Sequence, residues 1–364
     1  MRQPAVCVVG VGLIGGSLGL ALRRAGRARE VVGVSRPETI AAARDLGAID
    51  RGYDYPDLAK AVEGCDVIVL ATPINRILAL LGELGKLPLA PGTIVTDVGS
   101  TKGLILKGAE TLLGPEALFV GGHPMAGGEK TGVSAADPFL FQNAYYVLCP
   151  ARAVPAKATQ ELGALLESIG ARVIVMDADT HDRTVAAVSH LPQLLAVTLV
   201  NFVGGMDSGP ALELAAGGFR DMTRIASSSF GVWKDIVETN LPRIRHTLEA
   251  FIEALAVCGD ELEAGPLGEA FEHAARTRGL IPRDTKGFLR PLAELLVVLE
   301  DKPGMIARIA APLAAAGINI QDIEILKVRE GEGGTLRLAF KDRATSETAR
   351  GILQAAGLEV RHRE

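Results

Sequence analysis

Residues 5–18 read Ala-Val-Cys-Val-Val-Gly-Val-Gly-Leu-Ile-Gly-Gly-Ser-Leu, an apolar run that passes directly into a glycine pattern. This order predicts a strand, a tight turn and a helix. The first glycine permits the turn, the second lets the backbone approach a pyrophosphate, and the third lets helix and strand pack closely. The helix N-terminus offers free N–H groups to the anion. The sequence therefore predicts a dinucleotide site that includes Gly10, Gly12, Leu13, Ile14 and Gly15.

The strands that follow extend this site. Ligands of open α/β sheets bind outside the carboxyl ends of the strands, so Thr72 and Pro73, after the predicted strand Val67–Ala71, belong to it. The second strand ends at Ser35 and Arg36, where an NAD-binding chain usually carries an acid. A hydroxyl and a guanidinium suit the 2′-phosphate of NADP. Arg36 could equally stack on adenine or lie in solvent, so the choice between NAD and NADP stays open.

Strand and helix signals divide the chain into three domains. Residues 1–178 alternate apolar strands with helices, which predicts an α/β doubly wound Rossmann-type domain with a parallel sheet. Residues 179–290 read as long helices, and the helix Thr184–Val203 is apolar nearly all round, which predicts an all-α dimerisation domain. Residues 291–364 follow the ferredoxin-like order βαββαβ. The predicted strands are Val6–Val9, Val31–Val34, Val67–Ala71, Ile94–Asp97, Leu118–Gly121, Tyr145–Cys149, Val173–Met176, Glu294–Leu299, Asn319–Val328, Thr335–Phe340 and Leu358–Arg361.

Composition narrows the class of protein. The net charge is -5 and Lys/Arg runs are lacking, which argues against a nucleic-acid partner. Four scattered cysteines predict neither a disulfide framework nor a metal site, and fit a reducing cytoplasm. The uncharged stretch 184–206 contains His190, Pro192, Gln193 and Asn201, which would be costly in lipid. We therefore expect a cytoplasmic protein without a membrane span.

Four polar or glycine-rich clusters stand at strand ends or in the helical domain, at residues 96–102, 121–127, 189–192 and 217–224. With the fingerprint at 11–18, the stretch Ile225–Ser229 and Trp233, they make the chain resemble the prephenate dehydrogenase family over nearly its whole length. The last 70 or so residues resemble an ACT domain, a regulatory module.

The resemblance implies oxidative decarboxylation of prephenate to 4-hydroxyphenylpyruvate with NAD(P)+ in tyrosine biosynthesis. The substrate hydroxyl needs a proton acceptor, and a neutral imidazole serves near pH 7, so His123 is the candidate base. Ser100 would form a hydrogen bond to the same hydroxyl or hold His123 in place. Arg224 matches a carboxylate-binding arginine, and His190 a second histidine on the substrate side.

Further residues are assigned less direct roles. Asp221 would orient Arg224 or His190, Glu129 would form a gating ionic contact, and Trp233 would reach across a homodimer interface. Each assignment competes with a structural role. His190 also reads as a core histidine, Glu129 reads equally as an exposed residue, and Trp233 reads as a core or interface residue.

In the ACT-like segment, the residues that would hold a regulatory amino acid occupy two turns: Asp301, Pro303, Gly304, Met305, Asn319 and Ile320. Tyrosine is the effector that pathway logic suggests. A structural ACT pair that only dimerises is the alternative.

Three other functions remain in view. Arogenate dehydrogenase differs in acting on an amine rather than a ketone side chain, and no residue decides between them. A β-hydroxyacid dehydrogenase would use a lysine from the first long helix of the helical domain, but none occurs between Lys157 and Lys234. A non-catalytic sensor would be expected to have lost His123 or Arg224.

Overall fold

The computed structural model describes residues 3–128, 130–206, 209–264, 267–281, 292–300, 302–329 and 333–362. Glu129 and Asp301, to which the sequence assigns site roles, lie outside the described residues. The chain divides into two compact units between His273 and Ala274.

The first unit begins with a sheet of the doubly wound type. Its described strands follow the order β3-β2-β1-β4-β5-β6-β7-β8, which opens with the Rossmann order 3-2-1-4-5-6. The strands are β1 Ala5–Val9, β2 Glu30–Val34, β3 Arg51–Tyr53, β4 Val67–Leu70, β5 Thr93–Asp97, β6 Ala117–Pro124, β7 Tyr145–Pro150 and β8 Arg172–Val175. The helices among them are α1 Leu13–Arg24, α2 Pro37–Asp45, α3 Leu58–Val62, α4 Ile74–Leu84, α5 Gly103–Leu112 and α6 Ala156–Glu167.

Successive residues of a strand point to opposite sides of the sheet, and helices cover both sides. Val6 and Val8 pack in one apolar cluster with α1 and α6. Cys7 and Val9 pack in the other, with α3, α4 and α5. The continuous apolar runs that predicted a sheet buried on both faces arise from this arrangement.

One part of the sheet corrects the prediction. Strand β7 runs antiparallel to β6, with His123 opposite Val147, whereas a parallel sheet was predicted. The described part of the connection 125–144 holds only the short 3-10 turn Val133–Ala135, and a parallel crossover needs a longer element. Strand β6 also continues to Pro124 rather than ending at Gly121, so His123 lies within the strand. The short strand β3 was not predicted.

The rest of the first unit is helical. Its elements are α7 Ala178–Val185, a π-helical segment Ala186–His190, α8 Leu191–Gly204, α9 Gly209–Glu213, α10 Gly217–Thr223, a 3-10 turn Arg224–Ser227, α11 Phe230–Ala264 and α12 Leu267–Leu280, which crosses the division between the units. The segment Ala178–Gly204 is, among the described residues, long and apolar enough to cross a membrane. One such helix is weak evidence for a membrane span, because core helices of soluble proteins pass the same test.

The second unit has the predicted ferredoxin-like order. Its antiparallel sheet is arranged β10-β11-β9-β12. Gly317 has φ +69° and ends the first helix of the unit, as predicted. The elements are β9 Ala293–Leu299, α13 Met305–Ala315, β10 Asp322–Arg329, β11 Gly333–Phe340, α14 Arg343–Ala355 and β12 Glu359–His362.

Candidate active site

The turn after β1 has the form that the glycine pattern predicts. Gly10 has φ +100°, and a Cβ there would lie 2.7 Å from the Thr72 side chain. A Cβ on Gly15 would run into the Gly10 carbonyl oxygen and lie 2.9 Å from Val8 Cγ1. Around Gly12, in contrast, a Cβ would meet nothing within 4 Å. The turn is therefore packed against the sheet at Gly10 and Gly15 and open to a ligand at Gly12.

Helix α1 starts at Leu13 and Ile14, directly after this opening, and no side chain of the described residues caps its first turn. Its N–H groups can therefore bind a pyrophosphate. At the end of β4, the buried Thr72 hydroxyl has no partner among the described residues, and Pro73 precedes α4. An orphaned buried hydroxyl beside an open glycine turn fits a polar ligand such as a dinucleotide.

The adenosine end of this crevice lies after β2. Ser35 is buried there, whereas Arg36 is exposed and its Nε lies 3.3 Å from Glu38 Oε1. The guanidinium is thus already paired with a carboxylate that would repel a phosphate group.

His123 lies at the carboxyl end of β6 and its side chain is buried. Its Nδ1 is 2.8 Å from Nε2 of His181, whose own Nδ1 is 2.8 Å from Asp182 Oδ1. Burial lowers the pKa of His123 well below its ordinary value, and repulsion from His181, Lys102 and His190 lowers it further. The imidazole is therefore neutral at physiological pH, as a proton acceptor must be.

Asp182 connects the two domains of the first unit. Its carboxylate accepts the backbone N–H of Lys102 at 2.7 Å and of Gly103 at 2.8 Å, which caps helix α5. Burial acts to raise the pKa of Asp182, but the hydrogen bonds from His181 and from these two N–H groups outweigh it and lower the pKa. Asp182 is therefore a carboxylate held by three donors.

A second histidine approaches Asp182 through an amide. Asn240 Nδ2 donates to the Asp182 carbonyl oxygen at 2.9 Å and lies 3.4 Å from His190 Nδ1. His190 also meets the Trp233 ring edge-on, with centroids 5.9 Å apart. Burial lowers the pKa of His190 to about 4, although Asp182 acts in the opposite direction.

The backbone geometry of His190 has a local cause. His190 ends the π-helical segment, and Pro192, which follows Leu191, lacks the N–H that an α-helix would direct to the carbonyl of Val188. A widened turn that absorbs such a missing bond is common at functional sites. The single helix predicted over Thr184–Val203 is divided at this point.

A buried ion pair supports the strand that carries His123. The Lys102 ammonium pairs with Asp97 and donates to the Gly122 carbonyl oxygen at 2.7 Å, and both charged side chains are fully buried. Asp97 also accepts the N–H groups of Gly99 and Gly122, at 2.7 and 3.0 Å. This network fixes β6 next to His123 and places one cation nearby.

The remaining predicted residues lie at different distances from this cluster. Ser100 is half-buried between Asp97 and Lys102. Arg224 and Asp221 are exposed. Arg224 starts the 3-10 turn that is tied to α8 by a hydrogen bond of 3.0 Å from Gln193 to the Ile225 carbonyl. The structure thus links His123, His190 and Trp233 through hydrogen-bond and ring contacts.

Three of the linking residues, His181, Asp182 and Asn240, were not predicted. The signal for the first two was an adjacent His-Asp pair at the start of the helical domain, and for Asn240 its position two residues before Pro242.

In the second unit, a cavity of about 300 Å³ opens beside the start of α13. Pro303, Gly304 and Met305 line it, together with Glu300 and Lys302. Asn319 and Ile320 lie in the connection before β10, which begins at Asp322, and are not among the lining residues.

The fold and the open glycine turn define a dinucleotide-binding protein of the Rossmann type. Family models agree. "Prephenate dehydrogenase, nucleotide-binding domain" matches residues 18–175, "Prephenate dehydrogenase, dimerization domain" matches 177–272, and "ACT domain" matches 293–357. The chain belongs to the prephenate dehydrogenase family, which confirms the resemblance inferred from the sequence.

Individual relatives cover most of the chain. The prephenate dehydrogenase of Bacillus subtilis strain 168 is 35% identical over 359 residues, which are 97% of this chain and 96% of that protein. The crystal structure of Aquifex aeolicus prephenate dehydrogenase with hydroxyphenyl propionate and NAD+ is 31% identical, with a TM-score of 0.69, and covers 76% of this chain and 97% of that one. Synechocystis arogenate dehydrogenase is 32% identical, with a TM-score of 0.66, over 76% of this chain and 98% of its own. A nicotinamide cofactor is therefore supported.

Proposed function

We propose that the chain catalyses the oxidative decarboxylation of prephenate to 4-hydroxyphenylpyruvate. The observation that carries this proposal is the buried, neutral His123 at the edge of the sheet where the dinucleotide turn opens. The turn at Gly10, Gly12 and Gly15 would hold NAD+, which would supply the acceptor for a hydride from the ring carbon that bears the hydroxyl. His123 takes the hydroxyl proton as that carbon becomes a carbonyl. The ring carboxylate then leaves as CO2, its bonding electrons make the ring aromatic, and the proton returns to the phenol oxygen.

The substrate is a dianion, so a fixed cation should bind it. Arg224 is assigned to a carboxylate, with charge-assisted contacts of about 1.5–3 kcal/mol each. His190 is assigned to a second substrate oxygen, and Ser100 to the hydroxyl. Asp221 and Glu129 are assigned to orienting and gating contacts. Trp233 is assigned to the wall of the site, where it contacts His190.

Initial rates with prephenate, followed as an A340 increase, test the reaction. His123→Asn should lower kcat by about 10²–10⁴ and change KM little, because the lost group acts on the proton. The matched control is His246→Asn, since His246 is exposed on α11. A protein that reduces neither NAD nor NADP with prephenate or arogenate would overturn the proposal.

Arogenate is the second candidate substrate, because the similar Synechocystis structure is an arogenate dehydrogenase. The two substrates differ by an ammonium in place of a ketone. Parallel assays decide between them through the ratio of kcat/KM values, and a ratio above one for prephenate supports the first proposal.

We assign NAD as the preferred cofactor. The Glu38 carboxylate that pairs with Arg36 disfavours a 2′-phosphate, and the similar Aquifex structure contains NAD+. Glu38→Gln should shift the ratio of kcat/KM values towards NADP, whereas Arg36→Ala should shift it towards NAD. A wild-type preference for NADP would contradict the assignment.

The helical domain is proposed to form a homodimer. Large apolar side chains on it are exposed in the single chain, among them Phe202 at 67%, Leu214 at 80% and Phe230 at 72%. The proposed domains are 1–178, 179–290 and 291–364. In a cytoplasmic enzyme, a partner chain rather than a lipid bilayer would cover this apolar surface of the helical domain. Light scattering should give twice the mass of the 38.1 kDa chain. A monomer at micromolar concentration would contradict the proposal.

Tyrosine is proposed as an effector that binds in the cavity beside α13. The cavity volume suits a small ligand, and Lys302 and Glu300, which pair with each other in the free protein, would exchange that ion pair for contacts with its carboxylate and ammonium groups. Met305→Trp would fill the cavity and should abolish inhibition by tyrosine, whereas Val298→Trp, at an exposed position of β9 that does not line the cavity, should not. If tyrosine changes neither the rate nor the melting temperature of the wild type, the effector proposal fails.

A further inference from the structure

Asp182 lies at the start of two hydrogen-bond chains, one from its side chain and one from its main chain. A carboxylate oxygen only accepts hydrogen bonds, so the contact of 2.8 Å between Asp182 Oδ1 and His181 Nδ1 requires the proton on Nδ1. The low pKa of Asp182 keeps its carboxylate ionised across the neutral range. In the first chain, His181 Nδ1 is therefore the donor and the Asp182 carboxylate the acceptor.

That direction continues to His123. In the neutral form of His181 the single ring proton lies on Nδ1, so Nε2 of His181 is an acceptor. The contact of 2.8 Å from His181 Nε2 to His123 Nδ1 then requires His123 to donate from Nδ1. The second ring nitrogen of His123, Nε2, is left with a lone pair. His123 is held in the tautomer that can accept a proton at Nε2.

The second hydrogen-bond chain, from the Asp182 main chain, holds His190 in the other tautomer. The Asp182 carbonyl oxygen accepts from Asn240 at 2.9 Å, which identifies the nearer side-chain atom of Asn240 as the amide nitrogen. The same nitrogen lies 3.4 Å from His190 Nδ1, so this ring nitrogen accepts. Neutral His190 then carries its proton on Nε2. His190 is held in the tautomer that donates.

We propose that Asp182 is a positioning residue that holds His123 and His190 in opposite tautomers, one as a proton acceptor and one as a hydrogen-bond donor. This inference rests on the proposed function, in which a substrate hydroxyl meets His123 and a substrate oxygen acceptor meets His190. A histidine in the wrong tautomer would present a proton to the hydroxyl or a lone pair to an anion. Both faults would be prevented by one residue that also ties α7 to the start of α5.

Kinetics separate this role from a structural one. Asp182→Asn removes the charge that orients His181, and should lower kcat by roughly 10²–10⁴, as expected when a general base loses its orienting carboxylate. Asn240→Leu leaves that chain intact and releases His190, so it should raise KM for prephenate and leave kcat within about threefold. The control is Asp177→Ala, which removes the N-cap of α7 and should lower the melting temperature without either kinetic effect.

A direct readout comes from 15N-histidine NMR of the full-length protein, which contains six histidines. His123 should show the Nδ1–H tautomer and His190 the Nε2–H tautomer, assigned with His123→Asn and His190→Gln. Asp182→Asn should change the His123 pattern, whereas Asp177→Ala should not. An Nε2–H tautomer at His123, or an unchanged pattern in Asp182→Asn, would overturn the inference. Because this measurement needs no substrate, the predicted tautomers in a protein that fails to turn over prephenate would disprove the proposed function alone.

Discussion

Gly15→Ala should lower the stability of the protein, whereas Gly12→Ala should mainly weaken NAD+ binding, although both glycines belong to one turn. A methyl group on Gly15 would overlap the Gly10 carbonyl oxygen and lie 2.9 Å from Val8 Cγ1. A backbone oxygen cannot rotate away, so α1 must shift from the sheet. Overpacking of this kind costs about 1–3 kcal/mol. At about 2–4 °C per kcal/mol for a domain of this size, the melting temperature should fall by roughly 2–12 °C.

In Gly12→Ala the added methyl group meets nothing within 4 Å, and alanine is a poorer N-cap than glycine by roughly 0.5–1 kcal/mol, so the melting temperature should fall by at most about 4 °C. The substitution should weaken NAD+ binding by about tenfold or more, because the methyl group occupies the space through which the pyrophosphate approaches. Differential scanning fluorimetry and titration calorimetry give the two quantities. Equal melting temperatures for the two variants, or normal NAD+ affinity in Gly12→Ala, would refute this description of the turn.

Two further predictions concern buried charge. Lys102→Met should lower the free energy of unfolding in urea by about 3–5 kcal/mol, because Asp97 stays buried without its cation, whereas Lys60→Met breaks an exposed pair and should leave it nearly unchanged. Lowering the pH from 6.5 towards 4 should destabilise the protein, because histidines of the unfolded chain take up protons at a higher pH than His123 and His190 do in the folded protein. His190→Gln should therefore reduce the change of unfolding free energy with pH between pH 7 and pH 5. An equal loss in both lysine variants, or an unchanged slope, would contradict these expectations.

The fold class was predictable because its signals are local. The apolar run before Gly10 and the glycines themselves determine the first strand, the turn and the helix, and the order of strands and helices determines the layers. The direction of β7 was not predictable from such signals. It depends on whether the connection from β6 contains a crossover helix, and the loop sequence at 125–144 carries no strong helical or hairpin pattern.

Prediction of the site had a similar limit. His123 was identified by its position just past a predicted strand end and by the resemblance to the family, and His190 by that resemblance alone. His181 and Asp182 stand in a polar stretch, Asp-Ala-Asp-Thr-His-Asp-Arg, which reads as the exposed first turn of a helix. Both are only 1% exposed, because α7 packs against the start of α5, nearly 80 residues earlier in the chain. Burial created by such a distant contact leaves no periodic pattern in the sequence.

The electrostatics of this cluster explain how a buried base can work in a site for a dianion. In the free protein, burial and the Lys102 charge keep His123 neutral, so the lone pair on Nε2 is present at every pH near neutrality. A base with so low a pKa accepts a proton reluctantly. Two substrate carboxylates close to the imidazole would raise its pKa, because nearby negative charge favours the protonated form. The substrate would thus strengthen the base that acts on it, against the opposing effects of burial and of the Lys102 charge.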